Sequence, residues 1–437
     1  MKRPNIILLI IDTLREDHGK GLEALEQFGF VKYENAIAPA PWTLPSHASI
    51  FTGLYPSMHG IHESYGVYVG EKMAELSSAK MEGLRLGLLG ELGDYGYDTY
   101  IITANPFITP LHGFRGTKSI HLRGFLYSLD NAYLNDLLRL YKNHLRLARE
   151  LMRRGQAWLS IKGAYYFARS KIDQALVRAG IYERPILEKG SNLILEILDD
   201  ALRGGRRTGI DLRKDEGSFF LFINMMEAHA PYVAGDIDDS LSVNAYLEAV
   251  FKGEAPREAV NIWRKRYPIH SAYAVSRALD IVRKLSLVID DSLFIVTSDH
   301  GELLGDGGFS HGYFLEDGVL RVPLYIRWPR GMTALKQEGQ LISLTQVPSL
   351  IRGVVDGSTP VIGRRIAMAE SFGSNFNYSG RISVTEEEVK RVFSHRVKVY
   401  LQGGKWFVYN EGTDSIEKVE GMGMDEAKAT AKNLLQW

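Results

Sequence analysis

The chain has no cysteine in its 437 residues. Disulfides, thiolate metal ligands and a cysteine nucleophile are therefore excluded, and the composition fits a reducing compartment. Charge imbalance is absent too. Lysine plus arginine and aspartate plus glutamate number 52 each, so nothing global points to nucleic acid or to an acidic partner, and any electrostatic argument has to be local. Long apolar runs are also missing. The uninterrupted ones, residues 6–11 and 219–223, fall far short of the roughly 20 residues that span a bilayer. Met1-Lys2-Arg3-Pro4 lacks both the apolar follow-on and the small-residue cleavage site of a secretory signal. The expectation is a soluble, cytoplasmic protein with no transmembrane segment. What the chain does have is 45% hydrophobic residues, enough to fill the core of one large domain with insertions, or of two domains.

Residues 6–11 are continuously apolar and rich in β-branched side chains, the pattern of a strand buried on both faces of a parallel sheet. That places Asp12 at the strand's carboxyl end, where open α/β sheets bind ligands; a helix-capping aspartate is the plainer reading. Asp17 and His18 follow in an expected loop. Residues 40–56 put Thr43 between two prolines at the expected start of a helix that stops at Thr52-Gly53. A helix start favours an anion or an anionic nucleophile, although threonine is also an ordinary cap. Residues 84–92 read as a short helix closed by Gly93, and 97–102 as a strand. The alternation predicts a doubly wound sheet.

From 118 to 207 the pattern changes to long helical spacings with many basic residues, Arg139, Lys142, Arg146, Arg149, Arg153, Arg154 and Lys162 among them. This reads as a helical insertion packed on the main domain with a solvated basic face; contact with lipid headgroups or another polyanion is the sharper alternative. Residues 218–224 form a buried strand running to His229, and 292–296 another that delivers Ser298, Asp299 and His300 to the same edge. Between them 273–287 has helical spacing. Gly305 to Gly308 form a loop that carries Asp306 and leads to His311; a strand over 320–329 and a helix over 344–354 follow. The tail reads as a hairpin over 397–409 and a polar helix from Asp425. The expected division is a catalytic domain over 1–380, with the insertion at 118–207, and a small antiparallel subdomain over 381–437.

Strand ends thus converge Asp12, Thr43, Asp299 and His300 on one crevice. Carboxylate plus imidazole ligation suits one divalent ion, Zn²⁺, Mn²⁺ or Mg²⁺, and metal coordination activates a hydroxyl that is otherwise too weak an acid. His229, His311 and His47 are candidates to hold the oxygens of a phosphoryl or sulfuryl group and to protonate the leaving oxygen. Glu227, His229 and His311 are the nearest candidates for a second metal, but no Asp-x-x-x-His pair maps there.

The motifs Asp12-Thr13-Leu14-Arg15, Thr43-Leu44-Pro45-Ser46-His47 with Thr52-Gly53, His229-Ala230-Pro231-Tyr232, Ser298-Asp299-His300-Gly301-Glu302 with Gly305-Asp306, and His311-Gly312 with Leu320-Arg321-Val322-Pro323-Leu324 together resemble the sulfatase family of the alkaline phosphatase superfamily. They occur in the family's order, and the region of Tyr409 resembles its terminal hairpin. The resemblance implies an α/β sandwich around a large mixed, mostly parallel sheet. It also implies one divalent metal on Asp12, Thr43, Asp299 and His300, with substrate oxygens met by His229 and His311. Four departures stand out. Sulfatases carry at the nucleophile position a cysteine or serine that is oxidised to formylglycine, and Thr43 cannot yield that aldehyde. His47 stands where arginine is usual, the first motif has one aspartate where many members have two, and the lysine of a Lys-Trp-His segment is replaced around Thr103-Ala104-Asn105. Threonine is the nucleophile of relatives acting on phosphate esters, nucleotide pyrophosphatases and phosphoglycerol transferases among them. The expectation is therefore a metal-dependent hydrolase or transferase of a small-molecule or lipid-linked phosphate ester. The alternatives are a sulfuric ester hydrolase lacking formylglycine, a phosphomutase, and a catalytically weak anion- or lipid-binding protein. The oligomeric state is not legible.

Overall fold

A computed structural model describes residues 3–122, 143–178, 187–213, 217–232, 240–288, 290, 292–337 and 341–435. Its centre is an eight-stranded sheet. In chain order the strands are β1 (Asn5–Ile11), β2 (Val31–Ile37), β3 (Tyr97–Thr103), β4 (Lys118–His121), β5 (Ser218–Met225) and β6 (Ser292–Thr297), then, after the small pair β7 (Leu303–Leu304) and β8 (Phe309–Ser310), β9 (Arg321–Arg327) and β10 (Ile342–Ser343). They lie side by side as β10-β2-β9-β6-β1-β5-β3-β4. β9 runs antiparallel to both β2 and β6, while β1, β5, β6, β3 and β4 are mutually parallel. This is the large, mixed, mostly parallel sheet expected from the apolar runs.

Side chains of β1 alternate between two cores. Ile6, Leu8 and Ile10 face one apolar cluster and Ile7, Leu9 and Ile11 the other, which is why the strand needs an apolar residue at every position. Every residue of β1 is buried. β5 and β6 flank it in register, so the chain leaves all three strands at one edge of the sheet. Asp12, Met226 and Ser298 are the first residues past those ends.

Several local expectations change. The helix expected over 84–92 is the shorter Leu88–Asp94, set off from a preceding helix, Glu71–Gly83. The break is Arg85-Leu86-Gly87, three successive residues with positive φ; Gly87 approaches the carbonyl of Phe51 so closely that a Cβ there would sit 2.5 Å from it. The helical spacing at 273–287 belongs to a much longer helix, Arg257–Lys284, that contains Pro268. A proline removes one backbone bond, but burial of Trp263, Tyr267 and His270 on the same helix outweighs it. The helix over 344–354 begins as a 3₁₀ turn and runs on as Val347–Asp356. The expected loop at Asp17 and His18 is the short 3₁₀ helix Glu16–His18. Of the expected insertion, Arg139 and Lys142 lie outside the described residues.

The terminal hairpin proves to be the middle of a four-stranded antiparallel sheet. It is formed by β11 (Ile366–Ser371), β12 (Arg396–Leu401), β13 (Lys405–Asn410) and β14 (Ser415–Glu420). β11 precedes residue 381, so the sheet draws in chain from before the expected boundary: β11 pairs with the edge of β12 that β13 leaves open, setting Ala367 beside Tyr400 and Ala369 beside Lys398. Met424–Leu434 closes the other face.

One polar cluster fastens this sheet to the segment leading into β9 of the large sheet. Asp317, just before β9, accepts from Lys398 Nζ at 2.6 Å, Tyr400 Oη at 2.7 Å and Arg321 Nε at 2.8 Å. Burial opposes its charge, but Lys398 and these donors bring its pKa down to about 2. A depressed carboxyl contributes stability above its unfolded pKa of about 4, and the contribution fades as pH falls towards about 2. Asp317→Ala also leaves the buried Lys398 ammonium without this carboxylate. A lost buried pair costs about 3–5 kcal/mol; Asp317 is half-exposed, which brings the expected loss to about 2 kcal/mol at neutral pH. Denaturant unfolding of wild type and variant should show that gap at pH 7 and a nearly closed gap at pH 2; equal stability at pH 7 contradicts the role.

Candidate metal centre and nucleophile

Asp12 and Asp299 meet at the edge where β1 and β6 end. Both are fully buried. Asp12 Oδ2 accepts from Asn105 Nδ2 at 2.7 Å and from Asn224 Nδ2 at 3.4 Å, while Asp299 Oδ1 accepts from the backbone amides of His300 at 3.0 Å and Thr13 at 3.2 Å. Each carboxylate therefore has one oxygen satisfied by protein. The other oxygens, Asp12 Oδ1 and Asp299 Oδ2, are buried with no hydrogen-bond partner. Burial, with Asp299 as a second negative neighbour, raises Asp12 to about 6, and burial raises Asp299 to about 7.

Local backbone geometry makes this possible. Thr13 has φ of 59°, a region that β-branched residues avoid. It is held there by its hydroxyl, which donates to Asp12 O at 2.7 Å, and by Tyr267 Oη, which donates to Thr13 O at 2.7 Å. The amide thereby turns toward Asp299. Gly301 lies so close to the next segment that a Cβ would sit 2.1 Å from Gly318 O. That contact lets the Asp299-His300 turn lie against the backbone ahead of β9.

Thr43 is the first residue of the helix Thr43–Thr52, preceded by extended Trp42 and closed by Gly53. Its Oγ1 lies 3.3 Å from His300 Nε2. Two bonds set the helix against the edge: Ser46 Oγ donates to Asp299 O at 2.7 Å, and Trp42 Nε1 donates to Glu63 Oε2 at 2.6 Å. The amides of Thr43 and Leu44 have no intrahelical acceptor, as in any first turn. The structure thus brings Asp12, Thr43, Asp299 and His300 together, and ligand atoms of Asp12, Asp299 and His300 lie within 4.8 Å of one another.

The histidines share one arrangement. Nδ1 of His300 faces Gly301 O at 2.8 Å, Nδ1 of His311 faces Glu302 Oε1 at 3.0 Å, and Nδ1 of His229 faces Ala230 O. With each Nδ1 donating, Nε2 is left with its lone pair, the form a metal ligand or a proton acceptor needs. Burial lowers all three to about 4. Rings of His229 and His300 flank that of His311 at 5.0 and 4.6 Å between centroids.

His47 is placed differently. It is fully buried, its Nδ1 faces Thr43 O at 2.9 Å, and its ring packs edge-on against Phe222. Burial lowers its pKa to about 3. The same Nδ1 lies 3.4 Å from Asp299 Oδ2, so His47 stands between the first helical turn and the acidic pair. Glu227 accepts through Oε1 from the amides of Ser191 and Lys189, and its Oε2 is buried with no hydrogen-bond partner.

Three residues supporting this site were not singled out from the sequence. Asn105, noticed only as part of a replaced segment, holds Asp12. Glu302 holds His311. Lys189 is a buried ammonium whose Nζ donates to the carbonyls of Glu227 and His229, closing the turn that carries His229. Nothing in the local sequence around Lys189 marks it, because its partners are about 40 residues away. A separate cleft of about 930 Å³ is lined by Tyr65, Tyr378, Phe393 and His395 among others, and by none of the residues above.

A family model described as Sulfatase matches residues 4–354. The steryl-sulfatase of Rattus norvegicus is 25% identical over 395 residues, covering 75% of this chain and 62% of that protein; the match thus spans less than two thirds of the relative. Among solved structures, a 2-O GAG sulfatase superposes with a TM-score of 0.56 at 11% identity, covering 99% of this chain and 90% of the other. The phosphonate monoester hydrolase of Silicibacter pomeroyi gives 0.56 at 14% identity over 99% and 95%. That of Agrobacterium radiobacter gives 0.53 at 17% over 94% and 88%. At such identities the structural likeness shows the fold, which sulfatases and phosphonate monoester hydrolases share. With the family model covering most of the chain and its motifs gathered at one sheet edge, the chain belongs to the sulfatase family of the alkaline phosphatase superfamily.

Proposed function

We propose that the protein is a metal-dependent hydrolase or transferase of phosphate esters in which Thr43 is the attacking group. One observation carries the reading: the Thr43 hydroxyl stands against His300 Nε2 beside two buried carboxylates, each with an oxygen that no hydrogen bond satisfies, that of Asp299 lying 3.4 Å from His300 Nε2 and His47 Nδ1. Buried anions that close together call for a cation. Asp12, Asp299, His300 and Thr43 would hold one divalent ion, with Zn²⁺, Mn²⁺ and Mg²⁺ all compatible with an oxygen-rich set containing one imidazole. When bound, such an ion offsets the two carboxylate charges and makes the threonine hydroxyl a stronger acid.

The residues then divide the work. Thr43 Oγ1, once its proton has passed to solvent, forms a bond to phosphorus as the bond to the ester oxygen breaks; the departing oxygen takes a proton from His229 or His311. An entering anion raises the proton affinity of those imidazoles, which burial otherwise holds neutral, so they become donors when substrate is present. Amides of Thr43 and Leu44 face the transferring group from the helix start. Glu302 orients His311, Lys189 fixes the backbone under His229, and His47 braces the Thr43 carbonyl beside Asp299. Water or a second alcohol then releases the group from Thr43.

A sulfate ester is the second reading, favoured by the family and by the steryl-sulfatase match. Against it stands the chemistry of the nucleophile, since oxidation of a threonine side chain gives a ketone and not formylglycine.

Aryl phosphate mono- and diesters, a phosphonate monoester and an aryl sulfate should be compared with each metal added. Phosphorus esters are expected to turn over faster, and Thr43→Ala should lose at least about 10³-fold in kcat. Equal activity in Thr43→Ala and wild type removes the nucleophile assignment; a preference for the aryl sulfate favours the second reading. Asn105→Leu, which removes the donor orienting Asp12, should weaken metal affinity about 10- to 100-fold in a calorimetric titration, and unchanged affinity contradicts that arrangement.

A further inference from the structure

Residues 143–178 carry eight lysines and arginines against two acids, in a chain whose overall charge is balanced. They fold as two helices, His144–Arg153 and Ala157–Arg178, joined by a tight turn in which the amides of Gly155 and Gln156 return to Met152 O and Leu151 O. Among the described residues the two helices pack on each other. Leu147 and Leu151 are buried and belong to none of the five apolar clusters of the main body, and the ring of Phe167 meets that of His144 at 4.9 Å.

The outer face is the reverse of what a solvated helix presents. In the first helix Leu145 and Met152, seven residues apart, point outward. In the second, Trp158, Ile161, Tyr165 and Ile172 follow at intervals of three, four and seven, which is one stripe of an α-helix. These six are between 55% and 80% exposed. Together with Phe167 they make up seven of the fourteen large hydrophobic side chains exposed among the described residues. Exposed Arg146, Arg149, Arg153 and Arg154 border the stripe. No described helix is long and apolar enough to cross a membrane.

We propose that this helical hairpin lies on an anionic lipid surface. An apolar stripe that includes a tryptophan and a tyrosine, flanked by arginines, matches the boundary between acyl chains and negatively charged headgroups: the stripe enters the boundary, and the guanidinium groups meet phosphate. A protein partner would account for the apolar stripe but not for the one-sided charge around it. The hairpin therefore holds the catalytic body at a membrane surface, and this inference stands apart from the assignment of the ester.

Sedimentation of the full chain with vesicles tests it. Binding to vesicles containing about one third phosphatidylglycerol should exceed binding to pure phosphatidylcholine at least tenfold and fall with added salt. Trp158→Ser/Ile161→Ser/Tyr165→Ser and Arg146→Gln/Arg149→Gln/Arg153→Gln should each lose that preference at least tenfold while hydrolysing a small soluble ester as wild type does, which also shows that they fold. Wild type that binds neither vesicle, variants that bind as well as wild type, or a dimer in light scattering that the Trp158 variant dissociates without any vesicle binding, overturns the proposal. Ester hydrolysis is read in the same samples, so a failure of lipid binding and a failure of the phosphoester assignment are separately visible.

Discussion

Two carboxylates buried at one edge of a sheet, each with an oxygen that nothing in the protein satisfies, are the constraint around which this molecule is arranged. Asp12 and Asp299 come from strands that lie side by side, so their repulsion is built into the fold and cannot be relieved by a rotamer change alone. Imidazoles of His229, His300 and His47 stand nearest them, with buried Lys189 acting on Asp12 as well. In the proposed reading a divalent cation would relieve the arrangement, and the hydroxyl of Thr43 would share in that relief. Burial raises both aspartates, and for Asp12 the neighbouring Asp299 adds to it.

The rest of the architecture keeps that edge in place. β1, β5 and β6 are buried on both faces and end together, which sets Asp12, the His229 turn and Asp299 in one layer. The helix bearing Thr43 is tied to the Asp299 backbone through Ser46, and Tyr267 on the long helix Arg257–Lys284 holds Thr13 in its unusual conformation. The polar cluster at Asp317 binds the second sheet to the strand that follows His311. Each fastening joins segments far apart in the chain, so the pocket forms only in the folded state.

Much of this was legible in the residues. Continuous apolar runs located β1, β5 and β6, and a charged or polar residue ending each run pointed to the sheet edge where Asp12, Asp299 and His300 gather. Prolines around Thr43 marked the helix start. What could not be read was set by contacts between distant segments. The helix break at Gly87 depends on the approach of Phe51, and the continuation through Pro268 depends on which face is buried. The fourth strand of the terminal sheet comes from ahead of the expected boundary, where it pairs with the open edge of β12. Lys189 and Asn105 have no local signature, because a positioning residue is defined by its partner. His47, singled out for its place in the motif, is one turn along the helix from Thr43, with Nδ1 against Thr43 O and near Asp299 Oδ2.

Diffraction from metal-loaded crystals, measured at the absorption edge of bound zinc or manganese, tests the central claim most directly. The account predicts one anomalous peak within about 2.0–2.3 Å of Asp12 Oδ1, Asp299 Oδ2, His300 Nε2 and Thr43 Oγ1. A peak elsewhere, with the Thr43 side chain turned from the two aspartates, would contradict it.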